Sequence, residues 1–265
     1  MSFQARSDSD LLDVSLDGDV ARIVIGNPAR RNAIDFAGWR ALATLIDEVG
    51  RSGARVVVIS GSGAHFCAGA DISEFETVRR DATTARAYEA ANSAAFAAIR
   101  DCAVPVIAAI RGVCYGGGFG LAAACDLRIA TSDARFAVPA ARLGLAYPLD
   151  AMIDVVKAAG DQMARYLTLT AQPVDAATAL RAGFLLEITE ADTFEARIAQ
   201  IAGAIARSAP LSVKASRLAI ASVMTGDPGI AEQAAAAGQA TFDSEDYAEG
   251  RAAFLAKREP VFNGR

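Results

Sequence analysis

Residues 112–120, GVCYGGGFG, restrict what this chain can fold into more than any other stretch. They follow 106–110, an apolar run with the length and β-branched content of a buried strand, and precede 121–125, an alanine-rich segment that reads as helix. Strand, glycine turn and helix in that order make an anion site. Glycine lets the backbone approach a ligand, and the first turn of a helix offers unpaired N–H groups and the positive end of its dipole. The ligand is therefore expected to carry, or to develop, negative charge.

A length of 265 residues suits one α/β domain, or one with a helical appendage, and 53% apolar residues supply an ample core. The net charge is -5 and basic residues are scattered, so the footprint of a nucleic-acid binder is missing. Four cysteines, Cys67, Cys102, Cys114 and Cys125, show no CxxC spacing. With His65 the one histidine, no metal site is expected and the reading is a reduced, cytoplasmic protein. The opening MSFQARSDSD lacks the apolar centre of a signal peptide, and no apolar stretch reaches the ~18 residues of a membrane span, so no membrane association is expected.

Along the chain, 11–16 and 20–25 flank Asp17, Gly18 and Asp19 and read as a hairpin. Residues 27–32 form a loop, after which Asp35 can cap a helix whose Trp39, Leu42, Leu45, Ile46 and Val49 fall at helical spacing. A buried strand at 55–60 leads into a second glycine-bearing loop, 61–71, and a long helix over 81–102 with Tyr88 and Phe96 on one side. The chain thus makes one move twice: helix, buried strand, glycine loop. Right-handed crossovers would place both strands in one parallel sheet, with both loops at its carboxyl edge, where ligands bind in open α/β sheets. Short strands are expected at 127–130 and 135–138, and helices over 152–167, 174–182, 194–206, 211–224 and 244–257, the last stopped by Pro260.

Four motifs, NPARRNAID, FCAGADISEF, RGVCYGGGFGLAAACDLRIA and EGRAAFLAKREPVF, stand in an order that resembles the enoyl-CoA hydratase/isomerase, or crotonase, superfamily from the first strand to the last residues. The resemblance implies an α/β fold: a crotonase-like spiral of ββα units over 1–195 and a C-terminal helical trimerisation region over 196–265, assembled as a homotrimer or a dimer of trimers. It implies an acyl-CoA thioester substrate and no cofactor beyond the coenzyme A moiety. It places two backbone N–H donors for the thioester oxygen on Ala70 and Gly117, the latter beside Gly116. Ala68, Asp71 and Ile72 are placed against the coenzyme by their backbone, Arg30 and Arg31 near its phosphates, and Phe254 and Lys257 within reach of it from the last helix. Plainer readings stay open: Asp71 as a cap, the arginines as solvated surface, Lys257 as a last-turn cation. His65 and Cys67 have no visible third group to orient them, and Cys67 reads as an inert apolar cysteine.

Where hydratases of the family carry two glutamates, this chain has Gly120 and Ala140, and neither can activate water or protonate carbon. The acid or base candidates are Tyr147 and Asp150, near a region where some relatives place a carboxylate, with Tyr115 and Glu74 behind them. A core phenol and a helix-start aspartate are the alternatives. The small residues at 120 and 140 are expected to leave a roomier acyl pocket. Three functions stay open. One is an acyl-CoA enzyme working through a thioester enolate, whether isomerase, lyase, decarboxylase or atypical hydratase. Another is an acyl-CoA or carbon–carbon bond hydrolase, and the third a non-catalytic acyl-CoA binding subunit.

Overall fold

The computed structural model describes residues 9–265; residues 1–8, read above for a targeting segment, lie outside the described residues. β1 (Leu12–Asp17) and β2 (Val20–Ile25) pair antiparallel across Gly18, whose φ of 57° suits glycine. After a 3-10 turn at Pro28–Arg30 comes α1 (Phe36–Gly50). Asp35 caps it by accepting the Gly38 N–H at 2.6 Å, and Trp39, Leu42, Leu45, Ile46 and Val49 are all buried. β3 (Val56–Gly61) runs parallel to β2, and β4 (Val106–Ile110) parallel to β3, so both glycine loops do leave at one sheet edge. Between these strands lie α2 (Phe75–Val78) and α3 (Ala82–Arg100), the latter started by Asp81 in a capping box with Thr84.

The glycine stretch contains more regular structure than its composition indicates. Val113–Tyr115 is a strand, β5, and α4 (Gly117–Ala124) begins at Gly117 rather than at Leu121. β6 (Leu127–Thr131) pairs with β4, and β7 (Arg135–Ala137) with β5. α5 (Leu149–Thr170) is interrupted at Gly160, with φ 75° and ψ 164°. The helix expected over 174–182 starts as strand β8 (Val174–Asp175) before α6 (Ala176–Arg181), and β9 (Glu187–Thr189) is an edge strand too short for its pattern to announce. The larger sheet has the order β1-β2-β3-β4-β6-β9 and the smaller one β5-β7-β8. In its later turns the chain thus lays one strand in each sheet and then a helix, which is the expected spiral.

β3 and β4 are buried on both faces, which is why they read as unbroken apolar runs. On one face Val57, Ile59, Ala108 and Ile110 join α1, α3, α4 and α5 in the main core. On the other, Val56, Val58, Ile107, Ala109 and Ile129 meet Phe194, Ile198, Ala202 and Ala206 of α7 (Phe194–Arg207), the helix within which position 195 falls. Beyond it, α8 (Pro210–Thr225) and α9 (Pro228–Ala240) pack on each other with no residue of either buried. α9 escaped the sequence reading because an alanine-rich helix with no buried face has no apolar period. Arg217 anchors α8 by donating to the Asp126 carboxylate and to the carbonyls of Ile99, Arg100 and Cys102. α10 (Glu245–Ala256) ends the helices, and its buried Asp246 accepts the N–H groups of Asn263 and Gly264. Among the described residues no helix is long and apolar enough to cross a membrane.

Candidate active site

The two glycine loops are hydrogen-bonded to each other. The N–H groups of Phe66 and Cys67 donate to the carbonyls of Arg111 and Val113 at 2.8 and 3.0 Å, and the Tyr115 N–H donates to the Cys67 carbonyl at 2.9 Å. On its other side the first loop is bound to the early loop. The Ala68 N–H donates to Arg31, the Ile34 N–H to Gly69, and the Asp71 N–H to Ile34, at 2.9, 2.8 and 2.9 Å. These bonds form a parallel bridge between Ile34 and Ala70, which turns the N–H of Ala70 itself away from Ile34. Among the described residues that N–H has no hydrogen-bond partner, nor does the N–H of Gly117 in the first turn of α4.

The loops touch at their backbones. A methyl group on Gly69, whose φ is 94°, would lie 2.8 Å from the Gly117 nitrogen and 2.9 Å from the Tyr115 carbonyl oxygen. One on Gly118 would lie 2.3 Å from the Cys67 carbonyl oxygen, and one on Gly117 2.8 Å from the Trp39 ring. Two unpartnered donors on touching loops, one opening a helix, suit an oxygen that bears or gains negative charge.

The residues that hold this arrangement were underread in the sequence. Buried Asn32 accepts the Asn27 N–H at 2.9 Å and the Ser62 hydroxyl at 3.1 Å, and donates to the carbonyls of Ser62 and His65 at 2.9 and 2.6 Å. It therefore pins the early loop to the loop after β3. The Tyr88 hydroxyl donates to the Ile34 carbonyl at 3.0 Å, and Glu74 accepts the Phe36 N–H at 2.6 Å while partial burial pushes its pKa up. His65 serves structure too, its Nδ1 accepting the Val113 N–H at 3.3 Å. A Ser/Thr/Asn side chain beside a proline-led loop was the available signal for Asn32; nothing local marks Trp39 as the wall behind Gly117.

The room expected beside Gly120 is taken. A Cβ there would lie 2.6 Å from the Tyr147 hydroxyl and 2.7 Å from the edge of Phe96, which packs edge-on against Trp39. Tyr147 turns its phenol inward and donates to the Gly116 carbonyl at 2.9 Å. Burial, followed by the nearby Cys114, Asp154 and Asp150, drives its pKa far upward, so the phenol stays protonated. Asp150 sits in the first turn of α5 and, among the described residues, has no hydrogen bond or ion pair. Ala140 lies in the turn Pro139–Leu143, whose Pro139 approaches Gly116. Tyr115 belongs to β5 and is half-buried.

Arg30 and Asp71 pair with each other, at 2.6 and 2.8 Å to the two carboxylate oxygens, and Arg30 also reaches the Ser73 hydroxyl. Partial burial opposes ionisation of Asp71, but bonds from Ser73 and Arg30 prevail and hold its carboxyl below the usual range. Asp71 also caps the turn Ile72–Glu74, the plainer role read for it. Arg31 and Ile72 are exposed; so are Phe254 on α10 and Lys257, its C-cap, and among the described residues no hydrogen bond or ion pair joins these two to the loops. Two open cavities of about 610 and 330 Å³ lie elsewhere, one between β9 and α7 and one near the C-terminal tail. Among the described residues no cluster of His, Cys, Asp and Glu could hold a metal ion.

Over residues 16–265 the sequence matches the family model of enoyl-CoA hydratase/isomerase. The chain belongs to this family. It is 32% identical over 247 residues to the short-chain-enoyl-CoA hydratase of Clostridium acetobutylicum, covering 92% of this chain and 94% of that protein. It is 29% identical over 256 residues to the mitochondrial Delta(3,5)-Delta(2,4)-dienoyl-CoA isomerase of Dictyostelium discoideum, covering 92% and 87%. A crystal structure of an enoyl-CoA hydratase/carnithine racemase from Magnetospirillum magneticum superposes with a TM-score of 0.92 at 33% identity over 97% of each chain. This hydratase/isomerase family member therefore has the crotonase-like α/β fold, and the family processes acyl-CoA thioesters. Its similarity to proteins named for both reactions does not separate them.

Two outcomes follow for this family member. Gly120→Glu should lower stability by roughly 1–3 kcal/mol through overpacking, and Tyr147→Ala in the same chain should restore part of it. Urea unfolding of the two single variants and the pair reads the coupling, and strictly additive penalties would contradict the contact. All four cysteines are buried, and desolvation pushes Cys67 up to about 12. At about pH 8.5, where an ordinary thiol is half ionised, the native thiols should resist iodoacetamide and react only on unfolding; rapid labelling of Cys67 in the native protein would refute this.

Proposed function

We propose that this chain is an acyl-CoA enzyme whose Ala70 and Gly117 N–H groups receive the thioester oxygen and stabilise the enolate or tetrahedral oxyanion formed there. The observation that carries the reading is the pair of unpartnered N–H groups on loops that touch through Gly69. One such donor is worth about 2.7–4 kcal/mol in comparable sites. Around the same loops, the backbone of Ala68, Asp71 and Ile72 is proposed to meet the coenzyme, Arg30 and Arg31 its phosphates, and Phe254 and Lys257 to approach it from α10. The reaction is proposed to take place in the cytoplasm.

With Gly120 and Ala140 in place of carboxylates, hydration by a pair of glutamates has no residues here, and an isomerase, lyase or decarboxylase reaction fits better. Tyr147 is held protonated by its surroundings and can donate a hydrogen bond but not act as base. Asp150, close enough to raise the Tyr147 pKa, is the proposed base. A second reading, a binding subunit without chemistry, is favoured by the filling of the Gly120 space by Tyr147 and Phe96. For assembly we propose a homotrimer or a dimer of trimers, on the strength of exposed Ile220, Val223, Met224, Phe242 and Leu255 on the C-terminal helices and their connections.

Mass spectrometry of enoyl-, malonyl-type and β-diketo-CoA thioesters incubated with the protein in deuterated water tests the activity. A product mass or deuterium at the α-carbon is expected, with Asp150→Asn slowed about 100-fold or more as for loss of a general base. Thioesters recovered bound, unchanged and unlabelled would decide for the binding subunit. Light scattering should give a mass three or six times that of one chain, and a monomer at micromolar concentration would sink the assembly.

A further inference from the structure

Arg79 directly follows α2 and precedes α3. Its guanidinium lies over two rings, 4.2 Å from the centroid of Tyr88 and 4.7 Å from that of Phe75. Its Nε is buried without a partner, and among the described residues none of its side-chain nitrogens makes a hydrogen bond or an ion pair. Two carboxylates face it, Glu74 and Glu89, and both act from beyond ion-pair distance; Glu74 already accepts the Phe36 N–H. A half-buried guanidinium that has lost water without gaining an anion is unfavourable as it stands. A planar fork stacked on aromatic rings is, however, already oriented to receive a carboxylate in two parallel hydrogen bonds.

Its position connects it to the proposed site. Tyr88, beneath the guanidinium, donates to the Ile34 carbonyl, and Ile34 is bridged to Ala70, so one tyrosine side chain separates Arg79 from the strand pair that carries a proposed donor. The same face of α3 continues through Asn92 to Phe96, which fills the space beside Gly120. From Tyr88 to Phe96 the helix rises about 12 Å. Midway, Asn92 is only 7% exposed, and its Oδ1 has no partner. Arg79 at one end, stacked on Tyr88, and Asn92 on the helix face that runs on to Phe96 therefore both have unmet hydrogen-bonding capacity.

We propose that Arg79 recognises a carboxylate at the far end of the acyl group, so that the preferred ligand is the thioester of a dicarboxylic acid rather than of a plain fatty acid. The proposal rests on the reading that the thioester oxygen lies between Ala70 and Gly117. Asn92 supplies a second polar contact beside the chain.

Titration calorimetry with free coenzyme A, with succinyl-, glutaryl- and adipyl-CoA, and with the methyl monoester of each acyl group tests it. The wild-type protein should bind at least one acid about tenfold or more tightly than its own methyl ester, as for a charge-assisted hydrogen-bonded pair. Arg79→Met, which keeps an unbranched stem over the rings, should abolish that preference and leave the esters and coenzyme A unaffected. Equal affinity of the wild type for every acid and its ester overturns the proposal and leaves the acyl-CoA reading standing. Weakened binding of free coenzyme A by Arg79→Met assigns the guanidinium to a coenzyme phosphate and overturns it as well. Failure of every thioester and of coenzyme A to bind removes the underlying reading and the proposal together. The comparison of acid with ester is made on the wild type, so its outcome does not depend on the variant folding.

Discussion

The approach of two backbones at Gly69 and Gly117 is the constraint on which the rest of this structure depends. No Cβ fits between them, and the Trp39 ring closes the remaining side of Gly117. Such proximity requires the two loops to leave the same edge of the same sheet, which follows from β3 and β4 being parallel neighbours. It also requires them to be held in register, which the bonds from Phe66, Cys67 and Tyr115 accomplish. Each glycine placed here costs conformational entropy on folding, about 0.5–1 kcal/mol relative to alanine in regular structure. That cost is borne by the strands below, whose residues are buried on both faces.

Because the contact is made of backbone, the two N–H groups need no particular side chain to exist. They persist in a chain whose positions 120 and 140 carry no functional group. The side chains around them set the rest of the site, and here Tyr147 and Phe96 occupy the volume that a longer residue at 120 would require. The phenol is not idle: the Gly116 carbonyl that accepts it also accepts the Gly120 N–H, at 3.1 Å, so Tyr147 braces the first turn of the helix that Gly117 opens.

The sequence disclosed the parts of this design that have a local signature. Buried strands, the Asp35 cap, the hairpin at Gly18 and the two glycine loops each follow from periodicity or from the preferences of single residues, and each lies where it was expected. β5 was hidden because three residues between glycines carry no readable alternation, and α4 was misplaced because glycine disguises a helix start. The crowding at Gly120 was out of reach in a different way. A glycine reads as empty space only until the fold brings Tyr147, from a segment after β7, and Phe96, from α3, to the same point. Arg79 is a further case, since in the sequence it is one of a pair of adjacent arginines and only its stacking on Phe75 and Tyr88 sets it apart.

On the proposed reading, stabilising an anion and moving a proton fall to different levels of the molecule. The first would depend on strand order and on the glycine contacts between the two loops, in a fold that superposes on solved structures at TM-scores near 0.9. The second would depend on a few side chains near the loops, from α3, from the turn after β7 and from the start of α5. A half-buried Tyr147 held neutral can donate a hydrogen bond but not take a proton, so with Asp150 as the proposed base proton transfer would run from the α5 side. Fold similarity would therefore constrain where charge can develop, not which bond is made or broken. On the reading proposed above, that choice would fall to Tyr147, Asp150, Asn92 and Arg79.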